Sequence, residues 1–123
     1  MTAPRVCVAA DADPAVNHFI TTVLRRAGYE VRRLAGPWQV SGASLAGVSL
    51  VLLGGRGYTV TPASVARGLR EGGNRTPIVI LLNSADADAL TLTWDDSTVR
   101  LLQKPFPTAE LLTVAADLLM APV

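Results

Sequence analysis

The sequence predicts an α/β protein, a three-layer doubly wound sandwich built from five βα units, and two observations predict it. Short apolar runs without strict alternation recur at 6–10, 31–34, 50–53, 78–82 and 99–103, and the segments between them carry helical start, stripe and stop signals. A strand that is apolar on both sides of its pleat needs cover on both faces, which a parallel sheet between two helical layers provides. At 123 residues, one domain over 1–123 is expected, standing alone or as the N-terminal part of a longer protein.

The first helix is the clearest. Asp13 is its predicted N-cap and Pro14 fits its first turn, while Val16, Phe19, Ile20, Val23, Leu24 and Ala27 form one apolar stripe that ends before Gly28. Thr61 and Pro62 repeat the start signal, Val65, Ala66 and Leu69 face inward, and Gly72-Gly73 ends the run. The last helix is expected from about Thr108, burying Leu111, Val114, Ala115 and Leu118. Two helical segments are weaker. Residues 37–46 contain Gly42 and two serines, and residues 85–97 contain Thr91, Thr93 and Trp94, so both are expected to be short or distorted.

Composition excludes several classes. Eleven Lys and Arg against ten Asp and Glu, with half the residues apolar, is neither a disordered nor a nucleic-acid-binding balance. No arginine-rich recognition helix or aromatic platform is evident, so direct nucleic-acid binding is not expected. Cys7 is the single cysteine, which excludes an intrachain disulfide and a multi-thiolate metal site; within Val6-Cys7-Val8-Ala9-Ala10 it reads as a small buried hydrophobe. No run spans a bilayer and residues 1–10 lack a secretory signal, so no membrane association and a cytoplasmic location are expected. His18 shares its helix face with Thr22 and Arg25 and has no metal-ligand partner at suitable spacing. Ser84, Asp86 and His18 supply the residue types of a hydrolase triad without the GxSxG turn, and no enzyme activity is expected.

Chemistry in such a fold gathers where strands end. Asp11 follows the first strand, Gly54-Gly55-Arg56-Gly57 the third, Leu82-Asn83-Ser84 the fourth and Lys104-Pro105 the fifth. The run from Arg5 to Val16, with Leu50-Val51-Leu52-Leu53, Thr76-Pro77-Ile78-Val79-Ile80-Leu81 and Lys104-Pro105-Phe106, resembles the response-regulator receiver domain of two-component signalling over essentially the whole chain. The resemblance implies a flavodoxin-like parallel sheet of order 2-1-3-4-5. It also implies roles: two acids after the first strand hold Mg²⁺, an aspartate ending the third accepts a phosphoryl group, and a Thr or Ser after the fourth and a lysine after the fifth respond to it. Those roles fall on Asp11 and Ala12, on Gly54, on Leu82 and on Lys104. Only Asp11 and Lys104 fit, because Ala12 and Gly54 lack carboxylates and Leu82 lacks a hydroxyl.

The expectation is therefore an atypical receiver, without metal or cofactor, that regulates by binding proteins and in which Asp11 and Lys104 form an ion pair. The resemblance points to the face of the family's fourth helix, fifth strand and fifth helix, here Leu90, Leu92, Trp94, Val99, Leu101, Leu112 and Leu119. Leu112 and Leu119, seven residues apart, are expected to form an exposed seam for a homodimer or another signalling protein, flanked by Arg67, Arg70 and Arg100. Receiver domains often precede an output domain, so a fused one is a further expected partner. The alternative is a sensor of a small molecule or anion at Asp11, Gly54, Gly55, Arg56, Gly57, Asn83 and Lys104, although the glycine loop matches neither the Walker pattern nor GxGxxG.

Overall fold

Five parallel strands, β1 (Val6–Asp11), β2 (Glu30–Arg33), β3 (Leu50–Gly54), β4 (Ile78–Leu82) and β5 (Val99–Gln103), form one sheet in the order β2-β1-β3-β4-β5. The structure is a computed structural model that describes residues 5–55, 60–83 and 96–120. Three α-helices lie among them: α1 (Pro14–Arg26), α2 (Pro62–Glu71) and α3 (Thr108–Met120).

The unalternating strands are explained by the two cores they separate. Cys7, Ala9, Leu50, Leu52, Val79, Leu81 and Leu102 face α1 and α3, where they meet Ile20, Leu24, Leu111, Ala115 and Leu118. Val8, Ala10, Val51, Leu53, Ile78, Ile80 and Leu82 face the other way, toward Leu45, Ala66 and Leu69. Successive residues thus enter opposite layers, and a polar residue on either side of β3 or β4 would be buried. At the sheet edges this constraint relaxes. In β2 only Val31 is buried, leaving Glu30, Arg32 and Arg33 exposed, and Arg100 and Gln103 are exposed on β5.

Helix α1 begins as its sequence predicts, with the Asp13 carboxylate accepting from Ala15 N at 2.9 Å, and ends before Gly28, whose φ of 99° suits glycine. Its inner face differs from the expected stripe. Asn17 and Thr21 are buried, Ala27 is exposed, and Phe19 is 38% exposed. Asn17 is drawn inward because its Nδ2 donates to Leu34 O at 2.8 Å, tying α1 to the end of β2. In α2, Thr61 and Ser64 form a capping box with Pro62 in the first turn.

Residues 37–46 form two 3₁₀ turns, Pro37–Gln39 and Ala43–Leu45, instead of one helix. Side chains here bond locally: Gln39 accepts from Ala35 N, and the Ser41 and Ser44 hydroxyls accept from each other's backbone N–H groups. Such bonds compete with helical ones. Of the segment 85–97, all but Asp96 and Ser97 lies outside the described residues.

Arg70 corrects another expectation. It does not flank a docking face but closes the end of the sheet opposite the strand carboxyl ends. Its Nε donates to Asp96 at 2.9 Å, Nη1 to the carbonyls of Asn74 and Thr76, and Nη2 to the Thr98 hydroxyl at 2.8 Å. The entries to β4 and β5 are fastened together by one guanidinium. Bonding from Thr98, with Arg70 beside it, holds the Asp96 carboxyl down at about 2.

Three outcomes are expected. Arg70→Met should lower stability by about 2–4 kcal/mol in urea titration, since it orphans several partly buried acceptors. A depressed folded-state pKa stabilises above the unfolded value, so the Asp96 contribution should be lost between about pH 4 and about pH 2, and Asp96→Asn should flatten that limb of the stability profile. Burial pushes the Cys7 thiol up to about 11. Native protein should therefore react with Ellman's reagent at pH 8 only through unfolding, at a rate that rises steeply with denaturant.

Candidate functional site

The strand order reverses at β1, with β2 on one side of it and β3 on the other, so the carboxyl ends of β1 and β3 border a topological crevice. Asp11 stands directly opposite Gly54 there, and Ala12 N donates to Gly54 O at 3.0 Å. Leu82 pairs with Gln103 on the far side, and Lys104 N donates to Leu82 O at 2.7 Å. The edge thus gathers Asp11, Ala12, Gly54, Leu82 and Lys104 as their places in the sequence predict.

The Asp11 carboxylate is wholly buried, and its Oδ2 lies 2.8 Å from Lys104 Nζ, whose side chain is 15% exposed. The expected ion pair is present. Oδ1 accepts from Asp13 N at 2.8 Å, so the loop into α1 holds the carboxylate from its other side. Oδ2 has no aligned hydrogen-bond donor among the described residues despite the short separation from the ammonium; the contact is a charge pair whose angles are not those of a hydrogen bond.

Gly54 makes this arrangement sterically feasible. A Cβ built on Gly54 would fall well inside 3.0 Å of Asp11 Oδ2, 2.7 Å from its Cγ and 3.1 Å from Leu81 Cβ. The carboxylate occupies the volume in which a side chain at position 54 would begin. Gly55 is confined similarly: its φ is 75°, and a Cβ there would lie 2.9 Å from Ala12 N. The described part of the glycine loop is packed against Ala12. Arg56 and Gly57 lie outside the described residues.

The oxygen donors do not suit Mg²⁺. Ala12 and Gly54 contribute no side-chain oxygen, and the one carboxylate oxygen free of the backbone already faces an ammonium. Among the described residues no cluster of three or more His, Cys, Asp or Glu side chains is present, and no helix is long and apolar enough to cross a membrane. Leu82 is buried among the apolar residues of the second core and offers no donor to the edge.

Asn83 is exposed beside Lys104, and both line a cavity of about 540 Å³ with Ala15, Val16, Phe19, Pro105 and Phe106. The Phe19 and Phe106 rings stand 6.0 Å apart at 47°. The Lys104–Pro105 peptide is cis. This hollow was not legible in the sequence: Phe19 reads there as a core residue, and the only hint is Phe106 following Lys104-Pro105.

Among the described residues, Leu112 and Leu119 do not form the expected exposed seam. Leu119 is 4% exposed and Val99 6% exposed, each in a core; Leu101 is partly buried against the second core. Leu112 lines a smaller hollow with Phe19, Val23 and Arg26 of α1. The last helix buries a wider arc than Leu111, Val114, Ala115 and Leu118 alone, because it packs on both the sheet and α1. Leu90, Leu92 and Trp94 lie outside the described residues, as do Ser84 and Asp86; His18 is exposed on α1.

No protein-family model matches the sequence, and no curated protein does. Solved structures do. The receiver domain of the sensor histidine kinase PA1611 from Pseudomonas aeruginosa, crystallised with a magnesium ion in its active-site cleft, is similar at 25% identity and a TM-score of 0.79, over 97% of this chain and 100% of that one. A putative response regulator from Chloroflexus aurantiacus gives 23% and 0.82 over 97% and 100%, and the chemotaxis protein CheY4 of Vibrio cholerae gives 20% and 0.74 over 94% and 99%. The chain has the fold of a response-regulator receiver domain, with the strand order 2-1-3-4-5.

Proposed function

We propose that this chain is a non-enzymatic signalling module of two-component type that is not switched by aspartyl phosphorylation. It acts by presenting one conformation to a protein partner, which is a second copy, another signalling protein or a fused output domain. One observation carries the reading: the Asp11 carboxylate fills the space in front of Gly54 and is neutralised there by Lys104. Position 54 offers a phosphoryl group no oxygen nucleophile, Lys104 is already engaged by the Asp11 carboxylate, and Leu82 has no hydroxyl to answer it. Partner binding at the β5–α3 side would use polar contacts, since Arg100 and Asp117 form a surface pair at 3.6 Å there and Leu119 is turned inward.

The test is incubation with acetyl phosphate and Mg²⁺, followed by intact mass measurement and amide NMR. The expected result is no phosphoryl mass increment and no shifts at Asp11, Gly54, Leu82 or Lys104; an acid-stable, hydroxylamine-labile adduct would sink the proposal. Gly54→Asp should remain a poor acceptor and should lose stability, because its new Cβ displaces Asp11 from Lys104.

The ion pair has its own signature. Lys104→Met leaves a buried carboxylate unpaired and should cost about 3–5 kcal/mol. The double change Asp11→Asn with Lys104→Met removes the charge while keeping an acceptor for Asp13 N, and in chemical denaturation it should cost clearly less than Lys104→Met alone.

A further inference from the structure

The cavity between α1 and the loop after β5 has no role in the reading above. Its volume of about 540 Å³ falls within the range of small-molecule sites, roughly 300–1,000 Å³. It is lined by Val16, Phe19, Phe106 and neighbouring Ala15 and Pro105, together with two polar residues, Asn83 and Lys104. No carboxylate lines it among the described residues, since Asp11 is sealed behind Lys104 with no accessible side-chain surface. Phe19 is one of two large apolar side chains exposed among the described residues, and it stands in this wall.

We propose that this cavity is a binding site for a small amphipathic anion: an aromatic or branched-alkyl body bearing one carboxylate, sulfonate or comparable acidic group. The body lies against the tilted rings of Phe19 and Phe106, which bury apolar area and favour edge or offset contact with a further ring. The acidic group meets Lys104, whose side chain is 15% exposed and whose ammonium has three donors against the single contact with Asp11. Lys104 is then shared between a buried carboxylate and the ligand, so occupancy is felt at Asp11 and through it at Gly54. The site does not depend on whether the domain can be phosphorylated. A helical protein partner fits less well, because the adjoining hollow at Arg26 and Leu112 is smaller, about 340 Å³, and Phe19 forms a wall of both.

The test uses 8-anilinonaphthalene-1-sulfonate and its uncharged relative N-phenyl-1-naphthylamine, titrated into the native chain with amide NMR and fluorescence as readouts. The sulfonate should bind saturably, one per chain, and shift Val16, Phe19, Asn83, Lys104 and Phe106. Phe19→Ser should weaken it about tenfold or more, and the uncharged relative should bind about tenfold more weakly or worse. Phe19 is surface-exposed, so Phe19→Ser decides the matter even if Phe106→Ser fails to fold; circular dichroism establishes that the former is native. Equal affinity of the two probes overturns the anionic class. Undiminished binding by Phe19→Ser, shifts confined to Trp38, or an acidic amphipathic peptide that shifts Thr22, Arg26 and Leu112 where the sulfonate shifts nothing would overturn the site.

Discussion

A charge buried at the end of β1 constrains everything around it. Asp11 has no exposed side-chain surface, and an ionised carboxylate in that position persists only with a cation beside it and a donor behind it. Lys104 and Asp13 N supply these. The first comes from the loop after β5 and the second from the entry to α1, so one carboxylate ties together segments more than ninety positions apart in sequence. Gly54 completes the arrangement by having no side chain. The carboxylate fills the space in which a side chain at position 54 would begin, so the edge is closed by packing as well as by charge.

Much of the architecture was legible because it is written in local signals. The five apolar runs, the Asp13 and Thr61 caps, and the glycines that end α1 and α2 each specify a short stretch of backbone. The convergence of Asp11, Gly54, Leu82 and Lys104 followed from strand order, which the resemblance supplied and hydrogen bonding bears out. What was not legible depends on which neighbour covers a residue. Phe19 continues the apolar stripe of α1 yet rolls outward toward Phe106, whereas Asn17 interrupts it and rolls inward to reach Leu34 O. Leu119 lies off the narrow stripe of α3 but is buried, since that helix is covered on two sides. Arg70 looked like a surface arginine because the four groups it ties down lie up to 28 positions away.

The two ends of the sheet have different characters. At the carboxyl end the polar contacts among the described residues centre on one ion pair, with an open hollow beside it. At the other end Arg70 makes a dense network with Asp96, Thr98 and two carbonyls. A framework fastened at one end and hollow at the other can tolerate changes of occupancy at the hollow without loosening the strand entries, because the cores between them are buried on both faces.

The charges on the outermost strands bear on how copies of this chain can meet. Extending the sheet from one molecule to the next would bring Arg32 and Arg33 of β2 against a like edge or against β5 with Arg100. Cationic edges repel such addition, a familiar guard against open-ended strand pairing. Sheet extension is thus the contact these charges disfavour, whereas an isologous contact between helical faces would not meet them and would close on itself.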